Sequence, residues 1–133
     1  MKKMQAFTLI EILIVVSILG ILMGITVRGM GGVRQRAYDL EVKSIVLDTR
    51  MEAETYMIDN GSYKGFTPSR SDLPICAGGG RPGVVATDTH IAIFAPICTP
   101  SDKYKNFCVD SGGKNCFTGS TAATSDGKCN CAE

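Results

Sequence analysis

The sequence predicts an α+β protein. A long N-terminal helix, apolar throughout its first half, packs through its second half against a small antiparallel β-sheet stapled by disulfides. Three observations support this. Residues 7–27, FTLIEILIVVSILGILMGITV, form a 21-residue apolar run with one charge, Glu11. Residues 33–58 repeat apolar side chains at helical spacing. Beyond residue 83, β-branched and aromatic segments alternate with turn clusters, and all six cysteines fall between Cys76 and Cys131.

About 20 apolar residues at 1.5 Å each cross the ~30 Å hydrocarbon core of a bilayer, so the run is long enough to span one. Lys2 and Lys3 precede it and Arg28 closes it. A secretory signal peptide has a shorter apolar core followed by a small-x-small cleavage site. Val27, Arg28, Gly29 and Met30 offer no such site, so the helix is expected to stay on the chain. Lys2 and Lys3 hold the N-terminus in the cytoplasm, which puts Gly29 onward outside. Arg28, Arg34 and Arg36 weaken that charge asymmetry. The six cysteines support the external placement, because an even count in a small exported domain reads as disulfides.

Glu11 is the anomaly. A carboxylate one turn into a membrane helix costs several kcal/mol unless it finds a partner, and such residues mark function. No Lys, Arg or His lies within the run. The bland alternative is a carboxylate that snorkels or is protonated near the surface. The surrounding residues argue against it: Lys2, Lys3, Met4, Gln5, Ala6, then Phe7-Thr8-Leu9-Ile10-Glu11. This stretch resembles the class III signal of type IV prepilins and pseudopilins: a short basic leader, a small residue, Phe, then T-L-I-E and an apolar helix. The resemblance covers residues 1–28. It implies that a prepilin peptidase cuts between Ala6 and Phe7 and methylates the new amine of Phe7. The family's usual residue before the cut is Gly, where this chain has Ala6. It also implies that the amine of Phe7 pairs with Glu11 of a neighbouring subunit as helices stack into a filament. A buried charge that loses its partner is costly, so Glu11 would set the axial register.

The resemblance divides the chain into a leader (1–6), a transmembrane and assembly half-helix (7–28), an amphipathic half-helix (29–58) and a globular region ending in a cysteine-rich tail (59–133). Gly29, Gly31 and Gly32 suggest a soft zone in an otherwise continuous helix. Val33, Ala37, Leu40, Ser44, Leu47, Met51 and Ile58 lie near one face, widened by Ile45 and Val46, and this stripe is expected to be covered by the sheet. Asp39 and Lys43 stand at the i,i+4 spacing of a helical ion pair. Asp59-Asn60-Gly61 supplies a stop. Residues 59–83 read as a loop, where pilins carry a variable connection between helix and sheet. Strands are expected at residues 84–87, 90–97, 104–109 and 115–118, giving three or four antiparallel strands in a pilin-like roll. Residues 119–128 are small and polar and read as a flexible loop.

Six cysteines permit fifteen pairings. Cys108 and Cys116 stand almost symmetrically about Gly112-Gly113, and Cys129 and Cys131 point to one face of an extended chain, so those two are expected to take different partners. The favoured set is Cys76–Cys98 with Cys108–Cys116 or Cys108–Cys131. A zinc site would need paired C-x₂₋₄-C knuckles, which do not occur, and Asp110 and Asp126 fit no calcium-loop spacing. No metal or cofactor is expected. His90 reads as a strand-edge residue, and no GxSxG, Walker loop or HExxH is found, so nothing reads as an enzyme. Formal charge is +1, and losing Lys2 and Lys3 leaves twelve basic against thirteen acidic side chains. No nucleic-acid footprint is evident.

The resemblance implies a structural subunit that waits in the inner membrane with its globular part outside, then polymerises into an extracellular filament. Its partners would be like subunits, the prepilin peptidase, and an assembly platform with its ATPase. A secretion pseudopilin and a minor pilin acting as a tip binding module share every N-terminal feature, and an anchored domain that never assembles is the bland alternative. Adhesion, motility, DNA uptake and electron transfer would all use the same subunit plan.

Overall fold

The computed structural model describes residues 7–27, 30–69 and 72–131. The chain divides into two compact units at Arg34/Gln35. Helix α1, Leu9–Val27, belongs to the first, and α2, Met30–Asn60, runs into the second. Arg28 and Gly29 lie outside the described residues, and with them the expected continuity of one long helix. α2 ends two residues beyond the expected Ile58. There Gly61 adopts a φ of 70° and donates its N–H to the Met57 carbonyl at 2.8 Å, the left-handed cap that glycine supplies without Cβ strain.

Five strands form one antiparallel meander in sequence order: β1 Gly83–Ala86, β2 Ile91–Pro96, β3 Asn106–Asp110, β4 Asn115–Ala123 and β5 Cys129–Cys131. β-branched and aromatic residues drive β2 and β3, and the two-residue period puts Ile91, Ile93, Ala95, Phe107 and Val109 on the face toward α2. Ala92, Phe94 and Cys108 occupy the opposite face with Cys116 and Cys129. His90 lies before β2 in the turn, where its Nδ1 is 2.8 Å from the Thr89 hydroxyl.

The helix face that meets the sheet differs from the expected one. Val42, Ile45, Val46, Thr49 and Ala53 are buried, a set at spacings of three and four. Of the stripe expected to be covered, Val33, Ala37, Leu40, Ser44, Leu47, Met51 and Ile58 are exposed, and only the widening residues Ile45 and Val46 are buried. Met51 and Ile58 keep 70% and 82% of their surface in contact with solvent. α2 is thus apolar on two faces, and the sheet takes the one built from Val42, Ile45, Val46, Thr49 and Ala53. Thr49 fits there because its hydroxyl bonds the Ile45 carbonyl at 2.7 Å, which satisfies it inside the helix.

The long connection after α2 contributes to the core through Tyr63, Phe66, Leu73 and Ala77. The Tyr63 hydroxyl donates to Glu54 at 2.7 Å, and the Ser69 N–H donates to Glu52 at 3.2 Å. Burial first, then the hydrogen bond to Glu54 and its charge, push the Tyr63 phenol up to about 12.

The C-terminal region departs furthest from expectation. Residues 119–123 extend β4 and residues 129–131 add a strand, where the sequence reads as a loop and tail. Between them, the Thr124 hydroxyl bonds the Asp126 carboxylate and Lys128 sits 3.3 Å from it, holding this carboxyl below its usual range. Gly127, at a φ of 75°, packs so tightly that a Cβ would stand 2.8 Å from the His90 carbonyl oxygen. Asp110 is buried, not a solvated turn residue. Its Oδ1 accepts the Lys114 N–H at 3.0 Å and its Oδ2 the Cys129 N–H at 3.2 Å. One carboxylate therefore closes the β3–β4 turn and pins β5.

The cysteines pair as Cys76–Cys98, Cys108–Cys129 and Cys116–Cys131. The first is the bridge the sequence favours, and it ties the long connection to the end of β2. Cys108 and Cys116 do stand opposite each other in register, but both expected alternatives for Cys108 are incorrect. The physical reason is β5, which brings Cys129 and Cys131 within 5.8 and 5.7 Å (Cα–Cα) of their partners, the ordinary span of a disulfide. The β4–β5 register shifts between Thr118 and Ala123, and there Cys129 reaches past β4 to β3.

Two outcomes test this account. The Tyr63 phenol ionises more readily in the unfolded chain than in the fold, so stability is full below pH 10.0 and falls as pH rises toward about 12. Tyr63→Phe flattens that alkaline limb and costs about 1 kcal/mol at neutral pH, as read by denaturant melts across pH. The Cys116→Ser/Cys131→Ser double variant loses about 2–4 kcal/mol, and amide exchange accelerates most at β5. The unreduced parent takes up no thiol reagent; labelling of Cys108 or Cys129 would contradict the pairing.

Candidate assembly site

The site begins where the helix does. Phe7 and Thr8 precede α1, and the Thr8 carbonyl accepts the N–H groups of Glu11 and Ile12 at 3.1 and 3.5 Å. Glu11 therefore occupies the first turn, where the unpaired N–H groups and helix dipole favour an anion. It is exposed, as is Phe7, at 76%. Ala6 and the expected cut before Phe7 lie partly outside the described residues.

Beyond Glu11, α1 is apolar all round. The large hydrophobic side chains from Leu9 to Ile25 each expose between 49% and 83% of their surface. The lone hydroxyl among them, Ser17, is satisfied by the Leu13 carbonyl at 2.7 Å. Among the described residues no helix is long and apolar enough to cross a membrane; the 21-residue span is a property of the sequence run. A helix with no polar face cannot be at rest in water, and one that is hydrophobic all round is buried in protein or lipid.

α2 adds a second unpartnered surface, the stripe of Leu40, Leu47, Met51 and Ile58. Two residues on this helix have roles that sequence reasoning missed. Asp39, expected to pair with Lys43, instead accepts the Cys98 N–H at 2.6 Å, the Thr99 N–H at 3.2 Å and the Thr99 hydroxyl. It clamps the β2–β3 connection, next to the Cys76–Cys98 bridge, onto the helix. Lys43 lies over the Phe117 and Phe107 rings, 4.6 and 5.6 Å from their centroids, a cation–π arrangement. Helical spacing alone favours Asp39–Lys43; the competing partners lie some sixty residues away and become visible only once the sheet is in place. The candidate cysteines Cys76, Cys98, Cys108, Cys116, Cys129 and Cys131 are all placed in disulfides, away from α1 in sequence. Among the described residues no group of three His, Cys, Asp or Glu side chains is arranged to hold a metal ion.

Comparison with known proteins agrees with this geometry. The family described as the prokaryotic N-terminal methylation motif matches residues 1–27, the stretch holding Ala6, Phe7 and Glu11. Over 126 residues, the chain is 30% identical to the type IV wide pilus major component PilA4 of Thermus thermophilus, covering 95% of this chain and 86% of that protein. No solved structure matches. An N-terminal methylation motif, a helix with unpartnered apolar faces, a disulfide-bonded antiparallel sheet and kinship along nearly the whole chain place this protein in the type IV pilin family, as a structural subunit.

Proposed function

We propose that the chain is a main building block of an extracellular pilus, held in the inner membrane by residues 7–27 until assembly, with a structural and not a catalytic role. The observation that supports this most directly is the exposed apolar surface of α1, continued by the second stripe on α2. An apolar patch of that extent marks a partner or a membrane, and successive partners of both kinds account for it. In the membrane, lipid covers the run. In the filament, the helices of like subunits do.

On this reading a prepilin peptidase cuts between Ala6 and Phe7 and methylates the new amine, and an assembly platform driven by an ATPase extracts the subunit. The amine of Phe7 pairs with Glu11 of a neighbour. That pair favours one axial offset, since any other leaves a charge buried alone at a cost of about 3–5 kcal/mol. The regions 1–6, 7–28, 29–58 and 59–133 then act as leader, assembly helix, helical stem and displayed domain.

Mass spectrometry of the sheared surface fraction tests the reading. The expected N-terminal peptide starts at Phe7, carries one methyl group and is abundant. The same peptide confined to the membrane fraction would indicate a pseudopilin or minor subunit, and a peptide starting at Met1 in both fractions would refute processing. Glu11→Val is expected to be processed and held in the membrane while filament yield falls at least tenfold. Normal yield from that variant would remove the register role.

A further inference from the structure

Between α2 and the β2–β3 connection opens a groove of about 520 Å³. Its walls are apolar and aromatic: Leu40, Ile97, Tyr104 and Phe117. Its rim is cationic, with Arg36 and Lys43 lining it and the Lys103 ammonium over the Tyr104 ring at 5.5 Å. The carboxylate that also lines it, Asp39, is engaged by the Cys98 N–H and by the N–H and hydroxyl of Thr99. Arg36 and Lys43 outnumber the Asp39 carboxylate among the lining residues, so the lining carries a net positive charge above an apolar floor.

That combination suits an amphiphile with an anionic head. Lys and Arg lay their stems along apolar surface while their charges stay in water, tyrosine favours headgroup depth, and each basic residue near an anionic leaflet adds attraction. Arg36 follows Val27 by nine residues, which at up to 3.6 Å each reach no farther than roughly 32 Å.

We propose that this groove seats an anionic phospholipid of the bilayer that holds the subunit before assembly, an inference that rests on the membrane-held stage proposed above. The headgroup phosphate bridges Arg36 and Lys43, and the upper acyl segment lies against Phe117, Tyr104 and Leu40. Leu40 also belongs to the exposed stripe of α2, so lipid and a neighbouring subunit compete for it, and extraction into the filament releases the lipid.

The test uses full-length protein in nanodiscs. The chain has no tryptophan, so Tyr104→Trp and, separately, Leu19→Trp each supply a single emitter, one for the groove and one for the apolar run. The discs contain phosphatidylcholine alone or an equimolar mixture with phosphatidylglycerol, brominated on the upper acyl chain. Tyr104→Trp is expected to shift to the blue and be quenched in the anionic discs only. Adding Arg36→Glu, an exposed position, weakens the dependence on phosphatidylglycerol roughly tenfold, while Lys43→Arg retains it.

Quenching of Leu19→Trp without quenching of Tyr104→Trp overturns the lipid seat and leaves the membrane-held stage standing. If neither is quenched, both fall. Equal quenching of Tyr104→Trp in the two discs overturns the preference for anionic lipid. A blue shift that grows with protein density and ignores bromine assigns the groove to a second copy of this chain, and likewise overturns the proposal.

Discussion

One small sheet can cover only one side of a helix, and α2 is apolar on two. The exposed stripe of α2 follows from that mismatch. Burial of Val42, Ile45, Val46 and Ala53 in one core with β2 and β3 stabilises the fold, with Val42, Ile45 and Val46 each contributing about 1.5–3 kcal/mol. The remaining stripe contributes nothing until something else covers it. The same helix thus serves two energetic purposes, and its inner face belongs to the subunit while its outer face belongs to whatever packs on the subunit. α1 carries this to the limit, with no inner face at all.

Much of this was legible in the sequence. The apolar run and Glu11 within it are local features, and the structure keeps them as helix α1 with Glu11 in its first turn. The stop at Asn60-Gly61 and strands β2 and β3 were legible for the same reason, since each depends on residues adjacent in sequence. The face that α2 turns to the sheet was not. Both of its stripes have helical period and both carry aliphatic side chains, so only the packed sheet shows which of them is covered. Residues 119–123 looked like loop because Ser, Thr, Gly and Ala carry weak strand signals; their place in β4 comes from pairing with β5, where Ala123 stands opposite Cys129. Asp39 shows the limit most plainly. Its nearest sequence partner, Lys43, is taken by the Phe107 and Phe117 rings, and its own carboxylate goes to backbone groups of Cys98 and Thr99.

The end of the chain is held by several independent means. Two disulfides, the Asp110 carboxylate and the close approach of Gly127 to His90 all restrain a strand of three residues. A strand so short pairs weakly by itself, because it offers few ladder hydrogen bonds and little apolar area. The restraints supply what its length does not, and they secure the sheet edge that would otherwise be left open to foreign strands.

The order of the cysteines along the chain has a kinetic consequence. Cys108 and Cys116 stand opposite each other in a tight hairpin, whereas their native partners lie 21 and 15 residues downstream. In a chain exported N-terminus first, as proposed above, Cys108 and Cys116 would emerge and could meet before Cys129 and Cys131 arrived. Oxidation that is too prompt would therefore lock the hairpin to itself and strand the last two thiols. If such a premature bond formed, reaching the native pairing would require reopening it, as an isomerase does.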